Sequence, residues 1–206
     1  MNNNLIESFG NIDIYLFDQL LKGRFDNSKR ILDVGCGGGR NIVYFLKNDF
    51  DVFGIDTDAT AIEAVKTMAH QLAPKAPPPP PENFVIAKAE DIPFADATFD
   101  LVICSAVLHF AKNRAHFEAM LHSAWRVLKP GGFFFARLAS DIGIESLVKS
   151  KDNGRYLLPD GTTRYLVNHD ALIHYVQELD GELYEPIKTT VVDNLRAMTT
   201  WCMRKR

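Results

Sequence analysis

Apolar positions follow two alternating rhythms along this chain. Compact runs stand at RILDV (30–34), DVFGI (51–55), NFVIAKAE (83–90), FDLVIC (99–104) and FFFARLA (133–139). Their length and composition predict strands. Between them apolar residues recur at three- and four-residue spacing. RNIVYFLKN carries Ile42, Val43 and Leu46 on one side, DATAIEAVKTMAHQL has Thr60 and Glu63 at capping-box spacing with Asp58 just ahead, and AHFEAMLHSAWRVL precedes the turn KPGG. These segments predict helices. Strands that alternate with helices across residues 30–139 imply a parallel sheet covered on both faces.

The two ends of the chain read differently. Leu16, Phe17, Leu20 and Leu21 recur at helical spacing before Gly23, which suits the stop of an opening helix. After residue 140, RYLLPDGTTRYL places Pro-Asp-Gly turn chemistry between two short extended pieces, and a helix follows from Asn168 to Leu179. ELYEPIKTTVV and AMTTWCMRKR close the chain as an expected antiparallel pair at the sheet edge, with Pro186 interrupting the first. The expected organisation is one domain over 1–206: a helical cap (1–29), a core (30–139) and a C-terminal segment with the closing strands (140–206). The run PKAPPPPPEN, holding Pro77–Pro81, reads as an extended connector in preference to a ligand for a proline-binding module.

Composition narrows the class. With 206 residues, 47% hydrophobic, 24% charged and a formal net charge of −3, the chain is an ordinary globular one without a broad nucleic-acid footprint. Cys36, Cys104 and Cys202 are odd in number and lack paired-ligand spacing, so neither a disulfide framework nor a metal site is expected. No signal region and no long apolar window is present, and a cytoplasmic location is the expectation.

The chemistry concentrates in ILDVGCGGGRN, residues 31–41. A glycine loop after the first strand of such a sheet brings backbone amides toward a polar or anionic ligand, and Gly35 and Gly37 permit close approach. Arg40 stands where the third glycine of the dinucleotide fingerprint belongs, which disfavours a nicotinamide or flavin oxidoreductase. The pattern is D-x-G-x-G, led by Asp33. Asp56 ends the second strand about 20 residues on, where a carboxylate accepts from ribose hydroxyls.

In order, ILDVGCGGG, FGIDTD, AEDIPFADATFDLVICSAVLHF and LKPGG resemble the class I S-adenosylmethionine-dependent methyltransferases, most closely the small-molecule branch that includes quinone-biosynthesis-like and tellurite-resistance-like enzymes. The resemblance implies an α/β Rossmann-like fold with a seven-stranded, mostly parallel sheet, helices on both faces and a C-terminal antiparallel pair. It implies S-adenosyl-L-methionine as cofactor, S-adenosyl-L-homocysteine as product and a small-molecule acceptor; charge and the lack of a long apolar window leave neither a nucleic-acid nor a membrane partner expected. Carried over by position, it sets Gly35 and Gly37 against the methionyl portion, Asp33 near its amine, Asp56 on the ribose and Thr57 beside the adenine. Asp91 is expected at the adenine amine, the Ile92 amide at a ring nitrogen, and a main-chain carbonyl at Cys104 or Ser105 at the cofactor amine.

His109 is the first choice for a residue acting on the acceptor, as proton acceptor or orienting group, against a structural role in capping or packing the next helix. Arg137 and Asp141 are candidates for contact with a charged substrate or for a structural pair. Tyr15 either closes over the cofactor or belongs to the core. Because the donor's methyl is already activated, alignment alone can carry much of the catalysis. A cofactor sensor without turnover is the alternative from another class.

Overall fold

The computed structural model describes residues 4–72 and 79–206. Two short helices open it, α1 (Asn4–Phe9) and α2 (Ile14–Leu21), separated at Gly10. Strand β1 (Arg30–Val34), helix α3 (Val43–Lys47), β2 (Asp51–Asp56), α4 (Ala59–Leu72), β3 (Phe84–Ile86), β4 (Phe99–Ser105), α5 (Arg114–Val127) and β5 (Leu128–Ser140) form the alternating core. Beyond it lie β6 (Lys149–Ser150), β7 (Arg155–Leu157), β8 (Thr163–Tyr165), α6 (His169–Glu178), β9 (Gly181–Leu183), β10 (Lys188–Val192) and β11 (Arg196–Lys205).

The main sheet has the order β10-β11-β5-β4-β1-β2-β3. Pairing is parallel from β3 through β5 and antiparallel where β11 meets β5 and β10. The expected α/β fold is therefore the observed one, with one added strand. Pro186 lacks the N–H a ladder needs, and it falls between β9 and β10, which pair with successive stretches of β11. The sheet thus has eight strands where seven were expected.

Local chemistry explains the other differences. The capping-box reading at Thr60 gives way to Asp58, whose Oδ1 accepts the Thr60 amide at 2.8 Å. The third strand stops at Ile86, because Asp91 N–H reaches back to Lys88 O at 3.1 Å and turns the chain. The KPGG turn is absorbed into β5: Phe99 pairs with Leu128 and Leu101 with Phe133, so the intervening residues bulge from the ladder. Residues 155–165 form the expected turn-linked pair, β7 with β8, but in a separate three-stranded sheet with β6. Of the proline connector, residues 74–78 lie outside the described residues, and Pro81 opens a 3-10 turn before β3.

Alternation within the strands distributes the core over both faces. Leu32, Val34, Val102, Phe134 and Trp201 pack toward α5 and α6. Ile31, Ile103, Phe135 and Cys202 pack toward α2, α3 and α4. On β1 this alternation leaves Asp33 on the Ile31 side, buried at 1% exposure.

The opening helix is tied to the closing strands by charge. Glu185 is buried, and its carboxylate takes Lys22 Nζ at 2.8 Å and Lys188 Nζ at 2.9 Å, with Arg24 Nη2 3.5 Å away. The Lys22 hydrogen bond is the main reason that the Glu185 pKa is pulled down to about 2. A carboxylate whose folded pKa is depressed stabilises above its unfolded value of 4.5 and loses that contribution as pH falls toward 2. Allowing for the partly exposed lysines, Glu185→Gln is expected to lower stability by about 1–2 kcal/mol at pH 7 and by less at pH 3.5. Equal melting temperatures of the two proteins at pH 7 would contradict this.

Candidate functional site

The strand order reverses at β1, which has β4 on one side and β2 on the other. In open parallel sheets the crevice beyond the strand ends at such a switch point is where ligands bind. A cavity of about 440 Å³ opens there, with Gly35, Asp56, Thr57, Glu90, Val107 and His116 in its wall.

The glycine loop enters its wall at Gly35. Cys36 N–H is bonded to Ile55 O at 2.9 Å, and the Asp56 carboxylate accepts Gly37 N–H at 2.8 Å and Asp58 N–H at 3.0 Å. The loop is thereby braced against the end of β2. Its glycines have different reasons to be there. Gly35, at φ +68°, lies so close to Val107 that an added Cβ would come within 2.5 Å of Cγ2. A Cβ on Gly39 would strike Met68 and Val65 of α4, whereas one on Gly37 or Gly38 would meet nothing within 4 Å. Gly37 and Gly38 thus leave backbone bare toward open space, which is what a close-fitting ligand needs.

Asp33, near the end of β1 just ahead of this loop, is buried, and its Oδ2 has no hydrogen-bond partner. Burial pushes its pKa up to about 7; the Arg40 guanidinium works in the opposite direction and the Asp56 carboxylate reinforces the rise. A buried carboxyl with an unpartnered oxygen is costly unless something cationic or hydrogen-donating meets it.

Of the expected positions, Gly35, Asp56 and Thr57 are in the cavity wall; Asp33 and Gly37 adjoin it through the glycine loop without lining it, and four others are placed elsewhere. Asp91 is exposed and outside the cavity wall, because the early end of β3 turns Lys88, Ala89 and Glu90 inward in its place. The Ile92 amide donates to Ser123 Oγ at 3.0 Å, so it is already committed and buried. Cys104 is fully buried within β4, and the cavity wall begins two residues later at Ala106 and Val107.

His109 is the fourth, at 6% exposure and absent from the wall. Its Nδ1 accepts the Ala139 amide at 3.1 Å, which fixes the loop after β4 to β5. Burial, helped by the positive charge of Arg164, lowers its pKa to about 4. An imidazole with its lone pair engaged and so low a pKa is a structural group, not a proton acceptor at neutral pH. In a proton NMR titration from pH 5.5 to 8 the His109 ring signals are expected to stay still; a His109 midpoint near 6.5 would contradict the assignment.

Several wall residues were not anticipated. Phe110 stands 60% exposed at the cavity, and His116 and Met120, four apart on α5, reach it from the flank of that helix. His116 Nδ1 accepts Lys112 N–H at 3.1 Å, and its Nε2 lies 3.3 Å from Glu90 Oε2, near enough for an ion pair but out of hydrogen-bond alignment. Burial opposes ionisation of Glu90, yet backbone hydrogen bonding and His116 outweigh it and hold the carboxyl below its usual range. The i,i+4 spacing of His116 and Met120 was the available signal.

The comparisons with known proteins give the family and the fold. Residues 32–136 match the family model described as a methyltransferase domain. This chain belongs to the methyltransferase domain family. The class I S-adenosylmethionine-dependent methyltransferase identified from the motifs is thus shown at the level of family and fold.

An uncharacterised methyltransferase of Synechocystis is 34% identical over 106 residues, covering 52% of this chain and 45% of that protein. A ubiquinone biosynthesis O-methyltransferase of Vibrio cholerae is 27% identical over 176 residues, covering 79% of this chain and 67% of its own length. This methyltransferase-family chain therefore spans less than half of the first relative and about two thirds of the second. Among solved structures, a SAM-dependent methyltransferase from Methanosarcina mazei superposes with a TM-score of 0.73 at 19% identity, covering 90% of this chain and 96% of that one. No helix among the described residues is long and apolar enough to cross a membrane.

Proposed function

We propose that this chain transfers a methyl group from S-adenosylmethionine to a small-molecule acceptor by in-line displacement. The observation that carries the reading is the buried, unpartnered Asp33 oxygen at the end of β1, followed by the bare Gly37–Gly38 backbone, at the switch point of the sheet. A cavity of about 440 Å³ suits a nucleoside-sized ligand. When bound, the cofactor supplies a methyl already activated on a sulfonium.

In this reading Asp56 holds the ribose hydroxyls, since each of its oxygens keeps a lone pair beyond those given to Gly37 and Asp58. Asp33 faces the cofactor amine, Gly35 and Gly37 flank the methionyl part, and Thr57, Ala89 and Glu90 line the space left for the base. The protein's own contribution is alignment and exclusion of water, which can be worth as much as ~7–11 kcal/mol of a barrier. No general base is then required, consistent with the structural role of His109.

Two features support a small acceptor: the name of the Vibrio relative, and a net charge of −3 without a separate basic segment. Incubation with methyl-labelled cofactor and a cell extract separated by size tests it. Label is expected in the small-metabolite fraction. Label confined to RNA or protein would refute the acceptor class, and tight cofactor binding with no transfer to any fraction would favour a sensor.

A further inference from the structure

Beside the cofactor cavity, residues from five elements meet under the opening helix. Asp13, the N-cap of α2, is buried at 2% exposure, and its Oδ2 accepts Arg137 Nη1 at 2.9 Å, with Ser105 Oγ at 3.4 Å and Arg40 Nη2 3.9 Å away. Its other oxygen caps α2 at Tyr15 N, and the Tyr15 hydroxyl is bonded to Thr190 of β10. Tyr15 also lies over the Arg137 guanidinium, 4.9 Å from ring centroid to Cζ. The group is contiguous with the cavity: Ser105 and Arg137 are register partners, and Arg137 O accepts the amide of Ala106 in the cavity wall at 2.7 Å.

Arg137 is thus paired with Asp13, and Arg40 approaches the same carboxylate from farther off while donating to Ser105 Oγ at 3.1 Å. The plane of Arg137 is set by Tyr15 and one end by Asp13. The opposite edge of a guanidinium, carrying Nε and Nη2, presents two parallel N–H bonds that match the oxygens of a carboxylate. On Arg137 the Nε of that edge is buried and unpartnered, while 21% of the side chain remains exposed. Thr200, directly across from Arg137 on β11, is buried at 4% exposure with an unpartnered Oγ1. Cross-strand partners share a face, so this hydroxyl lies on the same face of the sheet as the Arg137 side chain.

Resting on the methyltransferase reading, we propose that the unpartnered Nε–Nη2 edge of Arg137, with the Thr200 hydroxyl on the same face, binds a carboxylate of the methyl acceptor, so that the substrate is a small organic acid. The amino-acid carboxylate of the cofactor is the other source of the same chemistry, and the test separates the two.

The side-chain Nε–H signals of ¹⁵N-labelled protein report the site directly, with the Arg137 signal assigned from its absence in Arg137→Lys. Acetate and benzoate are titrated against acetamide and benzamide, with and without S-adenosylhomocysteine. Carboxylates are expected to shift the Arg137 signal saturably, at least roughly tenfold more tightly than the amides, and in the presence of S-adenosylhomocysteine. Arg137→Lys keeps the charge beside Asp13 but loses the two-pronged edge. Followed through the Thr200 amide signal, it should bind the acids roughly tenfold more weakly while its S-adenosylhomocysteine affinity is unchanged.

Absence of any carboxylate response, equal response to the amides, or full-strength acid binding by Arg137→Lys would each overturn the assignment. So would S-adenosylhomocysteine saturating the Arg137 signal and blocking the acids, which would give the site to the cofactor. Failure of S-adenosylhomocysteine to bind at all is a different result. It removes the methyltransferase reading, whereas the acid titration in its absence still reports on the site.

Discussion

Asp33→Asn makes the ligand-free protein more stable at neutral pH and a poorer binder of S-adenosylhomocysteine. The first effect follows from the sign of the pKa shift. In the folded chain Asp33 holds its proton to about pH 7, against an ordinary value of 3.8. Between those values the unfolded chain has released a proton that the folded chain keeps, so stability falls as pH rises through the window and levels off above it. The accumulated cost is as much as roughly 4 kcal/mol. An amide is never charged and avoids it, although its own donors must be accommodated. A net gain on the order of 2 kcal/mol is expected, or a melting temperature higher by roughly 4–8 °C at pH 7.5. The difference should vanish near pH 4.

The second effect runs the other way. The carboxylate proposed to meet the cofactor amine is lost, and a charge-assisted hydrogen bond of this kind is worth about 1.5–3 kcal/mol, or roughly 10- to 100-fold in affinity. In the unaltered protein binding should tighten as pH approaches 7 and should release a proton below it. A variant that is less stable at pH 7.5 and binds S-adenosylhomocysteine normally would contradict both parts. The residue is then a case of stability given up at a site for the sake of the ligand.

Asp56→Ala carries the other large effect. It removes the acceptor for Gly37 N–H and Asp58 N–H and so unties the glycine loop from β2. It also removes the proposed ribose contact. Calorimetry is expected to show affinity for S-adenosylhomocysteine weaker by about 1–3 kcal/mol, and thermal unfolding a loss of about 1–2 kcal/mol. Asp56→Asn keeps one acceptor oxygen and should recover part of the stability. Unchanged affinity in Asp56→Ala would remove Asp56 from the site.

Which parts of this arrangement could be read from the sequence depends on how far apart the partners lie. The ladder from β3 to β5 was legible because each strand is an apolar run bounded by its own turn, and the break at Pro186 because a missing N–H acts locally. Asp33, Gly35, Gly37, Asp56 and Thr57 were legible for the same reason: the first strand, its loop and the end of the second strand form one local unit. Gly35, Asp56 and Thr57 reach the cavity wall, while Asp33 and Gly37 stay in the same local unit beside it, with Gly37 and Asp56 directly bonded.

The adenine-side expectations depended on where β3 ends. A turn four residues early exchanges Glu90 for Asp91 at the wall, and the Ile92 amide goes to Ser123 of α5, 31 residues away. His109 has the right place in the chain for a residue beside the acceptor, but whether its ring nitrogen is free depends on the Ala139 amide, which only the packed sheet brings to it. Asp13 and Arg137 are 124 residues apart, so neither predicts the other. Arg137 was legible as a charged candidate; the carboxylate that orients it was not.

The most direct test is a crystal structure of the protein with S-adenosylhomocysteine. The account predicts ordered density for the ligand in the crevice between the glycine loop and Ala106–Val107, its ribose hydroxyls on Asp56 and its amino group toward Asp33. Density for the ligand elsewhere, or a crevice filled by the protein's own side chains at saturating ligand, would contradict it.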